Sequence, residues 1–325
     1  MNVLVTGAAG YVGSVCAAEL IRSKHQVTGY DNLSAGVRRA VHPSVRFVRG
    51  DIADTKKLES VCRRDRIEVV MHFAASALVD ESIRNPHLFY QNNVSASIGL
   101  LGVMARSGVR KLVFSSSAAV YGEPKSVPMT EDHPTSPINA YGETKLVMER
   151  ALKWYHGAHG INSVALRYFN AAGAVGGLGE NHHPETHLLP RILDVILDPS
   201  RPFQIYGDDY PTPDGTCVRD FVHVRDIARA HILAMQKLDK LGLAIYNVGH
   251  GTGYSIREVL ETVERVTGAR IEVKIGPRRP GDPAVLVASP VRITEELGWE
   301  PRFSDLPSIV QSAWEWHRKR QKKKP

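Results

Sequence analysis

Three evenly spaced glycines separate the first apolar run of this chain from the helical pattern that follows. Gly7, Gly10 and Gly13 come directly after residues 3–5 and open the stretch 12–21. Glycines at such a junction allow a tight turn, and they let an anion approach the positive end of a helix. The G-x-x-G-x-x-G spacing departs from G-x-G-x-x-G in its first interval, and a plain helix-capping turn is the alternative. The position between strand and helix favours a dinucleotide site that includes Tyr11 and Val12.

Short apolar runs alternate with longer amphipathic stretches through the first half of the chain. The runs are residues 3–5, 27–30, 45–48, 69–71, 112–114 and 164–166. Strands that recur with helical spacers imply βαβ units and a parallel sheet covered on both faces. The sequence therefore predicts an α/β fold, a Rossmann-type doubly wound parallel sheet, with a smaller C-terminal α/β substrate domain.

A change in amino-acid composition after Asn170 suggests the domain boundaries. Loops rich in glycine, proline and histidine cover residues 173–190, and a similar loop covers 206–215. Irregular segments of that length are uncommon in compact domains unless they cover a ligand. We expect residues 1–174 and 221–248 to form the dinucleotide-binding domain, and residues 175–220 and 249–325 to form the substrate-binding domain.

Two aspartates follow predicted strands on the cofactor side. Asp31 ends the second strand about twenty residues beyond the glycines, where a carboxylate accepts hydrogen bonds from ribose hydroxyls and repels a 2′-phosphate. This position favours NAD over NADP, although Asp31 also begins a turn with Asn32. Asp51 and Ile52 follow the third strand and suggest an adenine contact, although an aspartate there is often only a cap.

A tyrosine and a lysine four residues apart suggest the reacting centre. On a helix, Tyr141 and Lys145 project from one face. A nearby lysine and a positively charged nicotinamide would favour the phenolate of a tyrosine whose ordinary pKa is about 10. Residues 115–117 are three serines at the end of a predicted strand, where doubly wound sheets present ligands. Together these features predict a site in which Tyr141 is the general base.

Charge and cysteine content limit the partners. Six residues near the C terminus supply six of the seven net positive charges: Arg318, Lys319, Arg320, Lys322, Lys323 and Lys324. A short block of like charges at a chain end predicts a solvated, disordered tail, and no nucleic-acid or membrane partner. Three widely spaced cysteines predict neither disulfides nor a zinc site, and with no apolar run near 18 residues they favour a cytoplasmic location.

Over nearly its whole length the chain resembles the extended short-chain dehydrogenase/reductase family and its UDP-glucose 4-epimerase branch. The matching stretches are residues 5–13, 31–33, 72–75, 92–94, 114–122, 141–145, 167–170, 206–212 and 218–224. Together these motifs are highly specific.

The resemblance implies a tightly bound NAD, a UDP-sugar substrate and transient oxidation of the sugar at C4. It implies that Tyr141 removes the proton of the 4-hydroxyl, Ser117 hydrogen-bonds that oxygen, and Lys145 binds the nicotinamide ribose. Further cofactor contacts that it implies are Phe73, Ala74, Ala75, Asn92 and Phe169. The substrate contacts that it implies are Asn170, Arg219, Arg279 and Asp282, beside Ser117 and Tyr141. It also implies a homodimer packed through residues 86–106 and 139–155.

Several alternatives stay open at this stage. Epimerases of UDP-arabinose or UDP-glucuronate use the same chemistry, and Leu286 stands where larger or smaller residues affect acceptance of UDP-GlcNAc. A nucleotide-sugar 4,6-dehydratase needs an acidic pair, whereas Ala118 and Ala119 follow Ser117. A non-catalytic NAD-binding protein has the same fold but little need of the three catalytic residues.

The histidine-rich segment 182–187 raises the question of a metal site. Pro184 prevents a helical presentation of His183 and His187, and no second group of ligands stands beside them in the sequence. We expect a substrate-covering loop here and no metal.

Overall fold

The computed structural model describes residues 1–182, 184–198, 200, 202–279 and 282–321. The strands in these ranges are β1 (Asn2–Thr6), β2 (Gln26–Asp31), β3 (Arg46–Arg49), β4 (Val69–His72), β5 (Lys111–Ser117), β6 (Asn162–Tyr168), β7 (Asn170–Ala172), β8 (Ala174–Val175), β9 (Leu178–Gly179), β10 (Phe203–Tyr206), β11 (Val218–His223), β12 (Leu243–Val248), β13 (Gly253–Ser255), β14 (Val273–Gly276) and β15 (Val285–Leu286).

The helices of the same ranges alternate with these strands along the chain. They are α1 (Tyr11–Arg22), α2 (Thr55–Arg64), α3 (Val79–Arg84), α4 (Pro86–Phe89), α5 (Ala96–Ser107), α6 (Ala140–His159), α7 (Leu188–Leu197), α8 (Val224–Leu241), α9 (Ile256–Thr267), α10 (Val291–Leu297) and α11 (Leu306–Gln321). Short 3₁₀ turns cover Arg38–Ala40 and Ala118–Val120, and a π-helical segment, Tyr90–Ser95, joins α4 to α5.

A seven-stranded, fully parallel sheet forms the centre of the molecule. Its strand order is β12-β6-β5-β4-β1-β2-β3. From β1 the chain adds β2 and β3 on one side of the sheet. It then crosses to the other side of β1, where it adds β4, β5 and β6, so the direction of strand addition reverses between β1 and β4. Ligands bind at the carboxyl ends of the strands beside such a reversal. The predicted Rossmann-type fold is confirmed.

The apolar runs of the central strands serve two cores at once, because successive side chains point to opposite faces of a sheet. In β1, Val3 and Val5 pack into the core beneath α1 and α8, while Leu4 packs into the core beneath α2, α5 and α6. In β4, Val69 and Val70 divide between the same two cores. This double burial explains why these strands read as continuous apolar runs.

Smaller sheets and three helices form a second layer over the carboxyl ends of the strands. β11 pairs with β7, β13 and β15, and β10 pairs with β14. The buried residues of this layer come mainly from α7, α9 and α11. The strand β12 (Leu243–Val248) returns to the main sheet beside β6. The proposed division into two domains at residues 174, 221 and 248 stays a prediction.

The basic C-terminal run differs from expectation in its first half. Arg318, Lys319 and Arg320 belong to the last turn of α11, so the prediction of a disordered tail is wrong for these three residues. The Arg318 guanidinium lies over the Trp314 ring, 5.6 Å from its centroid. Cationic side chains near a helix C terminus also interact favourably with the helix dipole. Lys322, Lys323 and Lys324 lie outside the described residues.

The helices were also compared with the requirements for crossing a membrane. Over the part of the chain that the structure describes, no helix combines the length and the apolar character that crossing a bilayer requires.

Close packing of α6 against the end of β5 depends on one glycine. A Cβ at Gly142 would lie 2.3 Å from the carbonyl oxygen of Ala119, which follows Ser117 by two residues. Gly142 sits in the first turn of α6, directly after Tyr141, and its N–H donates the capping hydrogen bond to Asn139 Oδ1 at 2.8 Å. The absence of a side chain therefore sets the distance between the helix and the serine-bearing strand.

We predict that Gly142→Ala destabilises the protein by about 1–3 kcal/mol, since the added methyl overpacks a backbone contact. The matched control is Gly157→Ala in the same helix, where a Cβ meets nothing within 4 Å. Alanine there is expected to stabilise by up to about 1 kcal/mol through helix propensity. Urea unfolding of both variants is the measurement, and equal effects at the two positions would contradict the packing argument.

Candidate active site

One continuous cleft of about 1520 Å³ runs along the carboxyl ends of the central strands and beneath the second layer. Every site residue predicted from the sequence lines it. On the proposed cofactor side these are Gly7, Gly10, Tyr11, Val12, Gly13, Asp31, Asn32, Asp51, Ile52, Phe73, Ala74, Ala75 and Asn92; at the centre Ser117, Tyr141, Lys145 and Phe169; and on the proposed substrate side Asn170, Arg219, Arg279 and Asp282. Their individual roles stay predictions.

The glycine turn leaves the beginning of α1 open to the cleft. Gly10 is the N-cap and provides no side-chain hydrogen bond, and the first turn of α1 contains no acidic residue. A Cβ at Gly7 would lie 2.6 Å from the backbone nitrogen of Ala74, and one at Gly13 would lie 2.2 Å from the carbonyl oxygen of Gly7. The turn thus fits tightly against the segment that follows β4. Because the beginning of α1 lines the cleft, its free N–H groups are suited to bind an anion there.

Asp31 is fixed at the end of β2 by its backbone neighbours. Its Oδ2 accepts a hydrogen bond from Ala9 N at 2.9 Å, and its Oδ1 accepts one from Leu33 N at 2.8 Å. Each oxygen retains a lone pair for a ribose hydroxyl. Asn32 donates from Nδ2 to Asp51 Oδ2 at 2.8 Å, which joins the two strand ends. These residues fit the adenosine half of NAD.

The remaining cofactor-side residues lie on the turn after β4 and on the π-helical segment. The Phe73 ring packs against His231 with centroids 4.6 Å apart. Asn92 donates to Ser76 Oγ at 3.0 Å, and its neighbour Asn93 donates to both Ser76 O and Thr144 Oγ1. This hydrogen-bonded chain ties the turn after β4 to α6, the helix that carries Tyr141.

Tyr141, Lys145 and Ser117 meet where α6 crosses the end of β5. Ser117 Oγ accepts a hydrogen bond from Ala119 N at 3.1 Å, which orients the hydroxyl. Lys145 is buried and donates from Nζ to Ser115 O at 2.7 Å. The same Nζ lies 5.7 Å from the centroid of the Tyr141 ring. The helix and the strand thus bring the predicted phenol, hydroxyl and ammonium together.

Burial has the largest effect on the pKa values of this centre. It raises the pKa of Tyr141 above its ordinary value, and a hydrogen bond with Ser117 lowers it in part. Burial also lowers the pKa of Lys145 to about 7, against a smaller opposing effect of Glu149. These directions describe the chain without nicotinamide, so the expectation that the lysine and the nicotinamide charge together favour the phenolate stays a prediction.

A buried ion pair that the sequence analysis did not predict lies behind this centre. Arg167 of β6 donates from Nε to Glu149 Oε1 at 2.9 Å and from Nη2 to Oε2 at 2.6 Å, and both side chains are almost fully buried. Ser116 donates to the same Glu149 Oε1 at 2.5 Å. Because Glu149 follows Lys145 by four residues and Tyr141 by eight, all three share one face of α6. This i, i+4, i+8 spacing in the sequence could have indicated that Glu149 lies beside the predicted site.

On the substrate side, arginines and aromatic rings converge. Arg219 of β11 forms an ion pair with Asp282. The Arg279 guanidinium lies over the Tyr206 ring, 4.0 Å from its centroid, and Arg191 approaches the same ring at 6.0 Å. Tyr206 and Arg191 line the cleft but were not among the predicted contacts. Guanidinium groups are well suited to grip a diphosphate.

The structure also shows the surroundings of Asn170 and Leu286, two residues that the sequence placed on the substrate side. The Asn170 amide donates from Nδ2 to Asp220 O at 2.8 Å, so this donor already has a backbone partner. Leu286 of β15 packs against a buried cluster that contains Val120 and Tyr121, beside the cleft rather than among the residues that form its wall. Its proposed influence on acetamido sugars stays a prediction.

The histidine-rich loop is more organised than the sequence suggested. Glu180, His182, Glu185 and His187 place one potential ligand atom each within 4.8 Å of one another. The sequence argument overlooked Glu180 and Glu185 as potential ligands, and the expectation of no metal is not tested by these contacts. His183 lies outside the described residues. Glu180, His182 and His187 also line the cleft, which is the place expected for a substrate-covering loop.

Hydrogen bonds affect the pKa values of Glu180 and His187 in that loop more strongly than burial does. Burial raises the pKa of Glu180, but hydrogen bonds with His182 and His187 outweigh it and bring the pKa to about 2. Burial lowers the pKa of His187, but hydrogen bonds with Glu180 and Glu185 outweigh it and raise the pKa to about 10. Glu180 stands only two residues before His182, and this short separation was the signal in the sequence.

Comparison with known proteins places this cleft in a family. The model of the NAD dependent epimerase/dehydratase family matches residues 3–249. The chain belongs to this family. It is 47% identical to the UDP-glucose 4-epimerase of Lacticaseibacillus casei over 320 residues, which cover 98% of this chain and 97% of that protein.

Solved structures of other members of the family have the same fold along their whole length. The UDP-glucose 4-epimerase of Brucella ovis, in complex with NAD, is 44% identical with a TM-score of 0.94, and 97% of each chain is covered. The UDP-glucose 4-epimerase of Bifidobacterium longum, in complex with NAD+ and UDP, is 38% identical with a TM-score of 0.94, and 99% of each chain is covered. The resemblance inferred from the motifs is confirmed.

The buried lysine predicts a pH-dependent stability. With a pKa near 7 in the fold and an ordinary value of 10.5, Lys145 binds a proton more weakly in the folded chain than in the unfolded one. The resulting penalty is complete below about pH 7 and disappears as the pH rises to about 10.5. Wild type should therefore gain stability relative to Lys145→Met over this window, by up to about 1.4 kcal/mol per pH unit.

Urea unfolding of the cofactor-free chain at several pH values measures this gain. The control is Lys153→Met, which removes an exposed lysine of the same helix and should leave a pH-independent difference. A pH-independent difference for Lys145→Met as well would show that the fold does not disfavour its charged form.

Proposed function

We propose that the protein catalyses the NAD-dependent 4-epimerisation of a UDP-hexose, interconverting UDP-glucose and UDP-galactose through a transient 4-keto sugar. The observation that carries this proposal is the convergence of Tyr141, Ser117 and Lys145 at the centre of one cleft. An anion site at the start of α1 lies on one side of that centre, and arginines lie on the other. The 47% identity to a UDP-glucose 4-epimerase over 98% of the chain supports the same activity.

Each residue of the centre has a task in this reaction. Tyr141 removes the proton of the sugar 4-hydroxyl and later returns it, while the Ser117 hydroxyl hydrogen-bonds the same oxygen. Burial raises the pKa of the Tyr141 phenol, so a positive charge beside it must lower that pKa for the base to work at neutral pH. Lys145 binds the ribose on the cofactor side.

The cofactor that fits the cleft is NAD. When bound, it supplies a hydride acceptor that can return the hydride to either face of the planar C4 carbonyl. The N–H groups at the start of α1 would hold its pyrophosphate, and the Asp31 carboxylate, already fixed by Ala9 N, would hydrogen-bond the adenosine ribose and repel a 2′-phosphate. The Brucella ovis relative in complex with NAD supports this assignment.

The UDP part of the substrate fits the opposite end of the cleft. Arg219 and Arg279 can pair with the diphosphate, and Asn170 and Asp282 lie beside them. The Bifidobacterium longum relative in complex with NAD+ and UDP supports a UDP-linked sugar. Because these contacts hold the nucleotide and leave the sugar to rotate, the keto sugar can present either face to the returning hydride.

A homodimer is part of the proposal. The helices α4 and α6, with the segments beside them, expose large apolar side chains. Ile83 is 64% exposed and Trp154 is 77% exposed, and Leu88 and Tyr90 are also exposed. Exposed apolar patches mark interaction surfaces. A second copy packed on these helices would cover these side chains.

A cytoplasmic location agrees with the thiols. Cys16, Cys62 and Cys217 are all free and buried. Free thiols persist in reducing compartments.

We predict that Tyr141→Phe lowers kcat by about 10²–10⁴, because it deletes the titrating oxygen and leaves the ring. Folding and cofactor content should be unchanged, since the Tyr141 ring keeps its edge contact with Phe89. Conversion of UDP-galactose to UDP-glucose is followed by NMR, and bound NAD is quantified after denaturation.

The control is Tyr155→Phe, which makes the same change farther along α6 and should leave kcat within about twofold. Near-normal turnover of Tyr141→Phe with its cofactor bound would contradict the proposed base. Turnover of neither UDP-galactose nor any other UDP-sugar by the wild type would contradict the proposed function itself.

A further inference from the structure

The loop between β9 and α7 brings together two imidazoles and two carboxylates that the proposed reaction does not use. His187 Nδ1 lies 2.8 Å from Glu185 Oε1 and 3.0 Å from Glu180 Oε1, and His182 Nδ1 lies 3.3 Å from the same Glu180 oxygen. We propose that Glu180, His182, Glu185 and His187 form a binding site for a divalent transition metal of the Zn²⁺ class. The site does not depend on the proposed activity.

The spacing of the four groups suits tetrahedral coordination. Zinc ligands lie about 2.0–2.2 Å from the ion, which places neighbouring ligand atoms about 3.3–3.6 Å apart. The potential ligand atoms already lie within 4.8 Å of one another, and three of their separations are 2.8–3.3 Å. Movements of a few tenths of an ångström at the shortest contacts, and of about 1 Å at the longest, would admit an ion.

Several features hold these groups in place before any metal arrives. Glu180 is buried and directly follows β9, whose Gly179 packs so tightly on the Trp316 ring that a Cβ there would lie 2.6 Å from it. His187 is the N-cap of α7, and its backbone N–H donates to Glu185 Oε1 at 2.9 Å. The ligands are thus fixed at both ends of the loop by a hairpin and a helix.

Two imidazole nitrogens share one carboxylate oxygen in this cluster. His182 Nδ1 is shielded from solvent and lies 3.3 Å from Glu180 Oε1, which His187 Nδ1 approaches at 3.0 Å. A metal ion bound between these groups would take the place of the protons that now link them.

The mixed nitrogen and oxygen set decides the class of ion. Imidazole ligands favour Zn²⁺ and its first-row neighbours, whereas Mg²⁺ and Ca²⁺ prefer sites made of oxygen alone. Among the described residues, no cysteine belongs to this group of potential ligands.

The position of the loop suggests what the ion does. Glu180, His182 and His187 line the cleft, and Pro184 and Thr186 line a small pocket together with residues of α3. A metal at this site would therefore restrain the loop residues that line the cleft. It has no part in the proton or hydride steps at Tyr141.

Isothermal titration of the chelator-treated, untagged full chain with Zn²⁺ tests the site. We expect one equivalent to bind with micromolar or tighter affinity and to raise the melting temperature, while Mg²⁺ and Ca²⁺ have no such effect. His182→Gln and Glu180→Gln should each weaken binding by more than about tenfold. The control is His159→Gln, which removes an exposed histidine of α6 and should bind Zn²⁺ like the wild type.

Two outcomes would overturn the site. The first is the absence of a saturable Zn²⁺ equivalent in the wild type. The second is binding that neither His182→Gln nor Glu180→Gln weakens, which would assign the ion to other surface groups. Equal binding of Mg²⁺ would overturn the proposed class of metal. Because the wild-type titration needs no variant to fold and no turnover, the result is independent of the proposed epimerisation.

Discussion

The buried pair of Glu149 and Arg167 holds the reacting side of the molecule together. Glu149 extends from the same face of α6 as Tyr141 and Lys145, and it binds Arg167 of β6 and Ser116 of β5 through both carboxylate oxygens. One ion pair thus joins the helix that carries the base to the two strands beside it. Removing one partner of such a pair leaves a buried charge uncompensated, which typically costs about 3–5 kcal/mol.

The network continues from this pair to the far edge of the sheet. Arg167 donates to the Tyr121 hydroxyl at 2.9 Å, and Tyr121 donates to Asn247 Oδ1 of β12 at 2.7 Å. Asn247 in turn donates to Met129 O at 2.9 Å, on the loop that bridges to Ala288 of the second layer. The polar groups of this path are mutually satisfied, which favours a rigid arrangement.

The local features of the fold were predictable because they follow from short sequence patterns. Apolar runs marked the central strands, the glycines marked the turn into α1, and the Tyr-x-x-x-Lys spacing marked one face of α6. The Glu149–Arg167 pair was not predictable in this way, because its partners lie on different elements and pair only after the sheet forms. The same holds for Tyr206 beneath Arg279, which depends on the packing of β10 against β14.

One expectation failed for a reason that is also physical. The residues 318–320 were expected to be disordered because of their charge, but the apolar residues of α11 that precede them extend the helix through them. Tertiary packing here outweighs the tendency of the local sequence. The burial of the Tyr141 phenol, which raises its pKa, was likewise not visible in any local pattern.

The most direct test of the central claim follows the hydrogen at C4 of the sugar. UDP-galactose that carries deuterium at C4 is incubated with the purified protein in ordinary water, and the product is examined by NMR. A hydride that leaves and returns within one closed cleft does not exchange with solvent, so the account predicts UDP-glucose with deuterium retained at C4. UDP-glucose that carries solvent hydrogen at C4 would contradict it.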